Sequence, residues 1–148
     1  MLLVSSCLIG LKTRYDGNSN LNERIRELVE LGGAIPVCPE QLGGLSTPRL
    51  SAEFKGGDGD DVLEGRARLL NTNGEDVTAY FLRGAEETLA IAKMVGARRA
   101  IFKEKSPSCG CLRVWIEGEL AGGCGVTSAL LKRGGISVQS DEAWLPEE

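Results

Sequence analysis

Along this chain, short apolar runs closed by small polar residues or glycine alternate with segments whose apolar positions recur at helical spacing. Residues 1–6 read as a short buried strand ending in Ser5-Ser6 before a glycine-bearing turn. A helix is predicted next, with Asn20 as N-cap, Glu23 three residues on, and Leu21, Ile25, Leu28 and Val29 on one face before Gly32-Gly33. Residues 34–37 make a second strand that ends at Cys38. Residues 42–71 are turn-rich and read as a functional loop followed by a hairpin, with 62–64 and 68–70 paired antiparallel. A longer helix is predicted over 76–95, carrying Phe81, Ala85, Leu89 and Ala92 on one face and stopped by Gly96. A third strand follows over 99–103, an edge strand over 113–116, a helix over 126–133 and a fourth strand over 136–139.

This alternation is that of an α/β protein: a single compact domain over residues 1–148, Rossmann-like, with a mostly parallel sheet flanked by helices. Ligands of open parallel sheets bind in the crevice outside the carboxyl ends of the strands. Cys7, Cys38 and Cys109 each follow such an end in the predicted order, so residues far apart in sequence are expected to meet there.

Composition sharpens that expectation. The chain has five cysteines and no histidine, which closes off a Ser-His-Asp triad, a Cys-His nucleophile pair and a histidine-ligated zinc. Its twenty glycines in 148 residues exceed the average share of ~7%, consistent with many tight turns and functional loops. A net charge of −4 with scattered Lys and Arg makes no basic stripe, so nucleic acid is not an expected partner. No run reaches the ~20 apolar residues of a membrane span. Leu2-Leu3-Val4-Ser5-Ser6-Cys7 superficially resembles a lipoprotein cleavage site, but no basic segment or sufficient apolar run precedes the cysteine. The expected compartment is cytoplasmic, where thiols stay reduced and clustered cysteines point to metal or catalysis.

Thiolates select zinc, copper(I) or iron–sulfur clusters. The paired Cys-x-x-Cys of structural zinc is missing, and Cys109-Gly110-Cys111 does not replace it. A cubane cluster instead takes ligands singly from distant loops, and three ligands on four irons leave one iron open as a Lewis acid. Cys111 and Cys124 read as packed or supporting residues.

The segments Ser6-Cys7-Leu8-Ile9-Gly10, Tyr15-Asp16-Gly17 and Asp76-Val77-Thr78 resemble those of the thiouracil desulfidase-like family. Val37-Cys38-Pro39-Glu40-Gln41-Leu42-Gly43-Gly44-Leu45-Ser46-Thr47-Pro48-Arg49, Ser106-Pro107-Ser108-Cys109-Gly110 and Gly125-Val126-Thr127-Ser128-Ala129-Leu130-Leu131 continue the match over nearly the whole chain. The resemblance implies a [4Fe-4S] cluster held by Cys7, Cys38 and Cys109. It also implies hydrolase- or lyase-type, non-redox C–S cleavage of a thiolated nucleobase or nucleoside, such as 2-thiouracil to uracil and hydrosulfide, with a possible sulfur acceptor.

Glu40, two residues after Cys38, is the candidate base, and Ser106 and Ser108 are candidates for proton relay or substrate hydrogen bonding. Arg49 is a candidate for an anionic part of the substrate, and the Gly-rich run before Val126 for a phosphate at a helix start. Two other classes stay open: a zinc or cluster-bearing module without catalysis, closed by Cys111 or Cys124, and a thiol redox or sulfur-carrier protein using Cys109 and Cys111.

Overall fold

The computed structural model describes residues 1–145, so the last three residues of the expected 1–148 domain lie outside the described residues. Four strands form an all-parallel sheet: β1 (Leu2–Ser5), β2 (Ala34–Val37), β5 (Arg99–Phe102) and β8 (Ser137–Ser140), in the order β2-β1-β5-β8. The alternation of the strands divides the core between the two faces of this sheet. Leu3, Ala100, Phe102 and Val138 pack with Ala92 and Leu131 of the helices over Thr78–Val95 and Val126–Arg133, whereas Val4 and Ile101 pack with Leu8, Ile25 and Ala34 on the other side. Helices thus cover both faces, as the expected α/β architecture requires.

The chain order produces a switch point. From β1 the chain moves to β2 on one side, and it later enters β5 on the other side of β1. The carboxyl ends of β1, β2 and β5 therefore border one crevice, the place where ligands of such sheets bind.

A second four-stranded sheet, of mixed direction, was not expected from the sequence pattern. It comprises β3 (Ala52–Lys55), β4 (Arg68–Asn71), β6 (Arg113–Ile116) and β7 (Glu119–Gly122), in the order β4-β3-β6-β7. The strand over 113–116 is consequently interior to this sheet, between β3 and β7, rather than at an edge. The turn into β7 has Glu117 and Gly118 both at positive φ, 49° and 85°, which suits a two-residue hairpin turn. The expected pairing of 62–64 with 68–70 is also replaced. Asp58 and Asp61 form a reciprocal capping box that makes Gly59–Leu63 a helix (α3), and β4 pairs instead with β3.

Four further helices complete the fold: α1 (Glu23–Glu30), α2 (Pro39–Leu42), α4 (Thr78–Val95) and α5 (Val126–Arg133). The N-cap of α1 is Asn22 rather than Asn20, its side chain accepting from the amides of Arg24 and Ile25. Asn20 is held elsewhere, its amide donating to the Cys7 carbonyl at 2.8 Å. Gly43 and Gly84 let the backbones of α2 and α4 touch, since a Cβ on Gly43 would strike the Tyr80 carbonyl and one on Gly84 the Pro39 carbonyl. That contact seats α2, whose N-cap is Cys38. Among the described residues, no helix is long and apolar enough to cross a membrane.

Candidate active site

A cavity of about 560 Å³ opens at the switch point of the parallel sheet and is lined by Cys7, Cys38, Cys109, Glu40 and Ser106, among others. Cys7 sits in a 3-10 turn over Ser6–Ile9 that follows β1, so the run that superficially resembles a cleavage site is a buried strand leading into the cavity. Cys38 follows β2 directly and caps α2, where Pro39 takes the first helical position. Cys109 follows β5 through a loop and is only 4% exposed.

The loop carrying Cys109 is clasped by the N-terminus of α5. The amides of Gly125 and Val126 donate to the carbonyls of Gly110 and Pro107, and those of Thr127 and Ser128 both donate to the Ser108 carbonyl. The Ser128 hydroxyl adds a bond of 2.8 Å to the Cys109 carbonyl. A helix start leaves unpaired N–H groups, and here they hold a protein loop, so the expected phosphate cradle before Val126 is filled by backbone. Only glycine fits at 125, because a Cβ there would collide with the Ser108 carbonyl group.

Burial pushes all three thiols up from their ordinary range, most strongly for Cys109. For Cys7 the hydrogen bond from Asn20 works against burial, and neighbouring Cys38 adds to it. For Cys38 the Gln41 amide opposes burial. For Cys109 the Ser5 hydroxyl opposes burial, while Cys38, Glu40 and Cys7 reinforce it. Cys38 raises both Cys7 and Cys109, and Cys7 raises Cys109, so the three thiols repel one another as thiolates in one cavity, and a bound cation relieves that repulsion. The donor set is therefore soft and suits an iron–sulfur cluster or a thiophilic metal.

Asn20 is a site residue that the sequence pattern assigned to helix capping. Its Nδ2 lies 3.6 Å from Cys7 Sγ, and its Oδ1 accepts from Arg14 at 2.9 Å. Hydrogen bonds of this kind to ligand sulfur tune metal centres.

Glu40 and Ser106 face each other across the cavity wall. The Ser106 Oγ accepts the amides of Ser108 and Cys109, at 3.2 and 3.1 Å, and lies 3.5 Å from Glu40 Oε2. Two amides occupy the lone pairs of the hydroxyl, so its single proton is directed to Glu40. Ser108 is placed differently. It does not line the cavity, and its buried Oγ has no hydrogen-bond partner.

Cys111 and Cys124 lie apart from this group and do not line the cavity. Cys111 Sγ is 3.2 Å from the Val138 carbonyl of β8. Cys124 is buried beside Asp58 and Asp60 at the start of α3, and burial together with those two carboxylates pushes its thiol up to about 12.

Glu104, which the sequence pattern did not single out, anchors the other end of the Cys109 loop. Its Oε1 accepts the amides of Cys111, Leu112 and Arg113 at 2.9, 2.9 and 3.1 Å. Burial works against ionisation here, but Ser140 and these amides outweigh it and hold the carboxyl down at about 2. Its Oε2 is buried without a hydrogen-bond partner among the described residues.

A parallel α/β core with three free cysteines gathered at its switch point defines a thiolate-ligand α/β protein of the metal- or cluster-binding class. The chain matches the 2-thiouracil desulfurase family over residues 2–143, and it belongs to that family. It is similar to the uncharacterized protein YbbK of Bacillus subtilis (strain 168), at 49% identity over 144 residues that cover 95% of each chain. Its fold is similar to the solved structure of the [4Fe-4S]-dependent thiouracil desulfidase TudS, with a TM-score of 0.84 and 41% identity, covering 95% of this chain and 90% of that one.

Proposed function

We propose that this protein is a [4Fe-4S]-dependent desulfidase that hydrolyses a thiolated nucleobase or nucleoside, giving the carbonyl compound and hydrosulfide with no net redox change. Residues 1–148 would act as one desulfidase unit in the cytoplasm, where the thiols stay reduced. The observation that carries this reading is the meeting of Cys7, Cys38 and Cys109 with the Glu40–Ser106 pair in one cavity.

Cys7, Cys38 and Cys109 would hold the cluster, which supplies one iron free of protein ligands as a soft Lewis acid for a thiocarbonyl sulfur. Glu40 would accept a proton from the attacking water, and the same proton would later reach the departing sulfur. Ser106 keeps Glu40 Oε2 turned toward the cavity, because its own oxygen is fixed by the two loop amides. Ser108 would serve the same loop through its carbonyl, held by α5, rather than through its hydroxyl. The overall change is thiocarbonyl plus water to carbonyl plus hydrogen sulfide, and the sulfur then leaves or passes to an acceptor.

The cavity volume falls within the range of small-molecule sites, roughly 300–1,000 Å³. The wide separation of roles among the cysteines favours this reading over a closed four-ligand site or a Cys109–Cys111 redox pair, since the Cys111 thiol contacts the Val138 carbonyl. Anaerobic purification, with iron and acid-labile sulfide counted per chain and hydrosulfide release assayed with 2-thiouracil, tests it. Protein that carries only zinc, or a full cluster inert towards every thiobase, would overturn the corresponding half.

A further inference from the structure

Arg49 is the most fully engaged cation in the described chain, although the sequence suggests an exposed residue free to bind an anion. Its side chain is 6% exposed and that of its partner Glu40 14%, with Arg49 Nε 3.0 Å from Glu40 Oε1. Its Nη2 donates to the Thr13 carbonyl at 2.9 Å, and its Nη1 to Thr47 Oγ1 at 2.8 Å and to the Ser46 carbonyl at 3.3 Å. Its own backbone amide donates to the Tyr15 carbonyl at 2.7 Å. The guanidinium therefore joins α2 to the loop after Cys7 and to the loop that follows α2.

These bonds leave Arg49 little capacity for a substrate anion. They also settle what Glu40 can do with its two oxygens: Oε1 accepts from Arg49 Nε, and Oε2 is left to Ser106 and the cavity. We infer that Arg49 is a positioning residue for the reaction, one that fixes the Glu40 carboxylate for proton transfer. The inference rests on the reading of Glu40 as the base. A planar, five-donor fork is required, since lysine offers a point charge and cannot bond Glu40, Thr13 and Thr47 in one plane.

The test uses the cluster-loaded enzyme with 2-thiouracil, comparing Arg49→Lys, Arg49→Ala, Glu40→Gln and the double variant Glu40→Gln/Arg49→Ala. Both Arg49 variants are expected to keep iron, sulfide and the visible absorbance of the parent. Their kcat should fall about 100-fold, the scale of a misplaced catalytic group, with KM within twofold. Guanidinium ion should restore at least tenfold of the loss in Arg49→Ala, whereas ammonium at equal concentration should not. The double variant should be no slower than Glu40→Gln alone, as expected for residues acting as a unit. Loss of the cluster in both Arg49 variants, a raised KM with unchanged kcat, or additive losses in the double variant would each overturn the inference. Full activity in Glu40→Gln would instead overturn the reading of Glu40 as base. If Glu40→Gln is slow while Arg49→Lys and Arg49→Ala are not, the positioning role alone fails.

Discussion

The Ser106 hydroxyl lies 3.5 Å from Glu40 Oε2, although the two residues are 66 positions apart in the chain. The pair joins the loop after β5 to the helix after β2, and its geometry depends on backbone amides that fill the serine lone pairs. Replacing Glu40 by Gln should lower kcat by roughly 10²–10⁴-fold, the usual contribution of a proton-transfer group, and Ser106→Ala, which frees Glu40 Oε2, should lower it by less. Iron content should stay at the parental level in Glu40→Gln. Steady-state release of hydrosulfide, read alongside iron assays on the same samples, checks this, and an unchanged kcat in both variants would remove the pair from the mechanism.

The five cysteines should divide into two groups on replacement by Ser. Loss of Cys7, Cys38 or Cys109 removes a thiol that lines the cavity and should abolish stable iron binding. Cys111 and Cys124 should be dispensable for iron, and Cys124 should alkylate slowly at pH 8, because its thiol is pushed up to about 12 by burial and by Asp58 and Asp60. Iron-to-protein ratios and mass-spectrometric alkylation rates report both. Equal dependence of iron on Cys111 or Cys124 would contradict the three-ligand assignment.

Glu104 predicts a specific pH dependence of stability. Its carboxyl is lowered from an ordinary 4.5 to about 2, so the folded state favours the charged form. The stabilisation is fully present above pH 4.5 and is lost as pH falls through about 2; a change of this size is worth on the order of 3 kcal/mol. Glu104→Gln should therefore melt well below the parent at pH 7, and the gap should narrow as pH falls below about 4.5. Thermal melts of the two cluster-free proteins across that range measure it, and a gap independent of pH would mean that the charge is not what matters.

Gly125→Ala places a methyl group against the Ser108 carbonyl group, in the interface by which α5 holds the Cys109 loop. Overpacking of this kind costs about 1–3 kcal/mol. The variant should have a lower Tm and lose iron faster on dilution into a chelator, because the displaced loop carries a ligand. A parental rate of iron loss would show that the loop is held by other contacts.

Much of the fold can be read from local pattern. The helix over Val126–Arg133 and the strand over Ala34–Val37 are predicted with the bounds found in the structure, since each has a clear apolar period and glycine or Cys-Pro punctuation. The second sheet could not be read in the same way. Two of its strands lie in the turn-rich stretch 42–71, and β3 and β6 join only through tertiary pairing. The helix over Gly59–Leu63 was obscured by an acidic, glycine-bearing segment that reads as a turn unless the Asp58 and Asp61 capping box is recognised. Asn20 misled because asparagine is a good helix cap, and its bonds to Cys7 and Arg14 are long-range facts.

By itself, the sequence determined the chemistry available to this protein: thiols without imidazole, placed at the ends of predicted parallel strands, within motifs of the 2-thiouracil desulfurase family. Residue type and local period carry that information, because side-chain chemistry and strand or helix preference are properties of short segments. Only the tertiary structure decided which groups are free to act. Arg49 and the start of α5 both have donors that could take a substrate anion, yet the fold commits them to Glu40, Thr13, Thr47 and the Cys109 loop. The physical reason is that a buried donor is defined by the partner it meets, and those partners come from strands and loops tens of residues away.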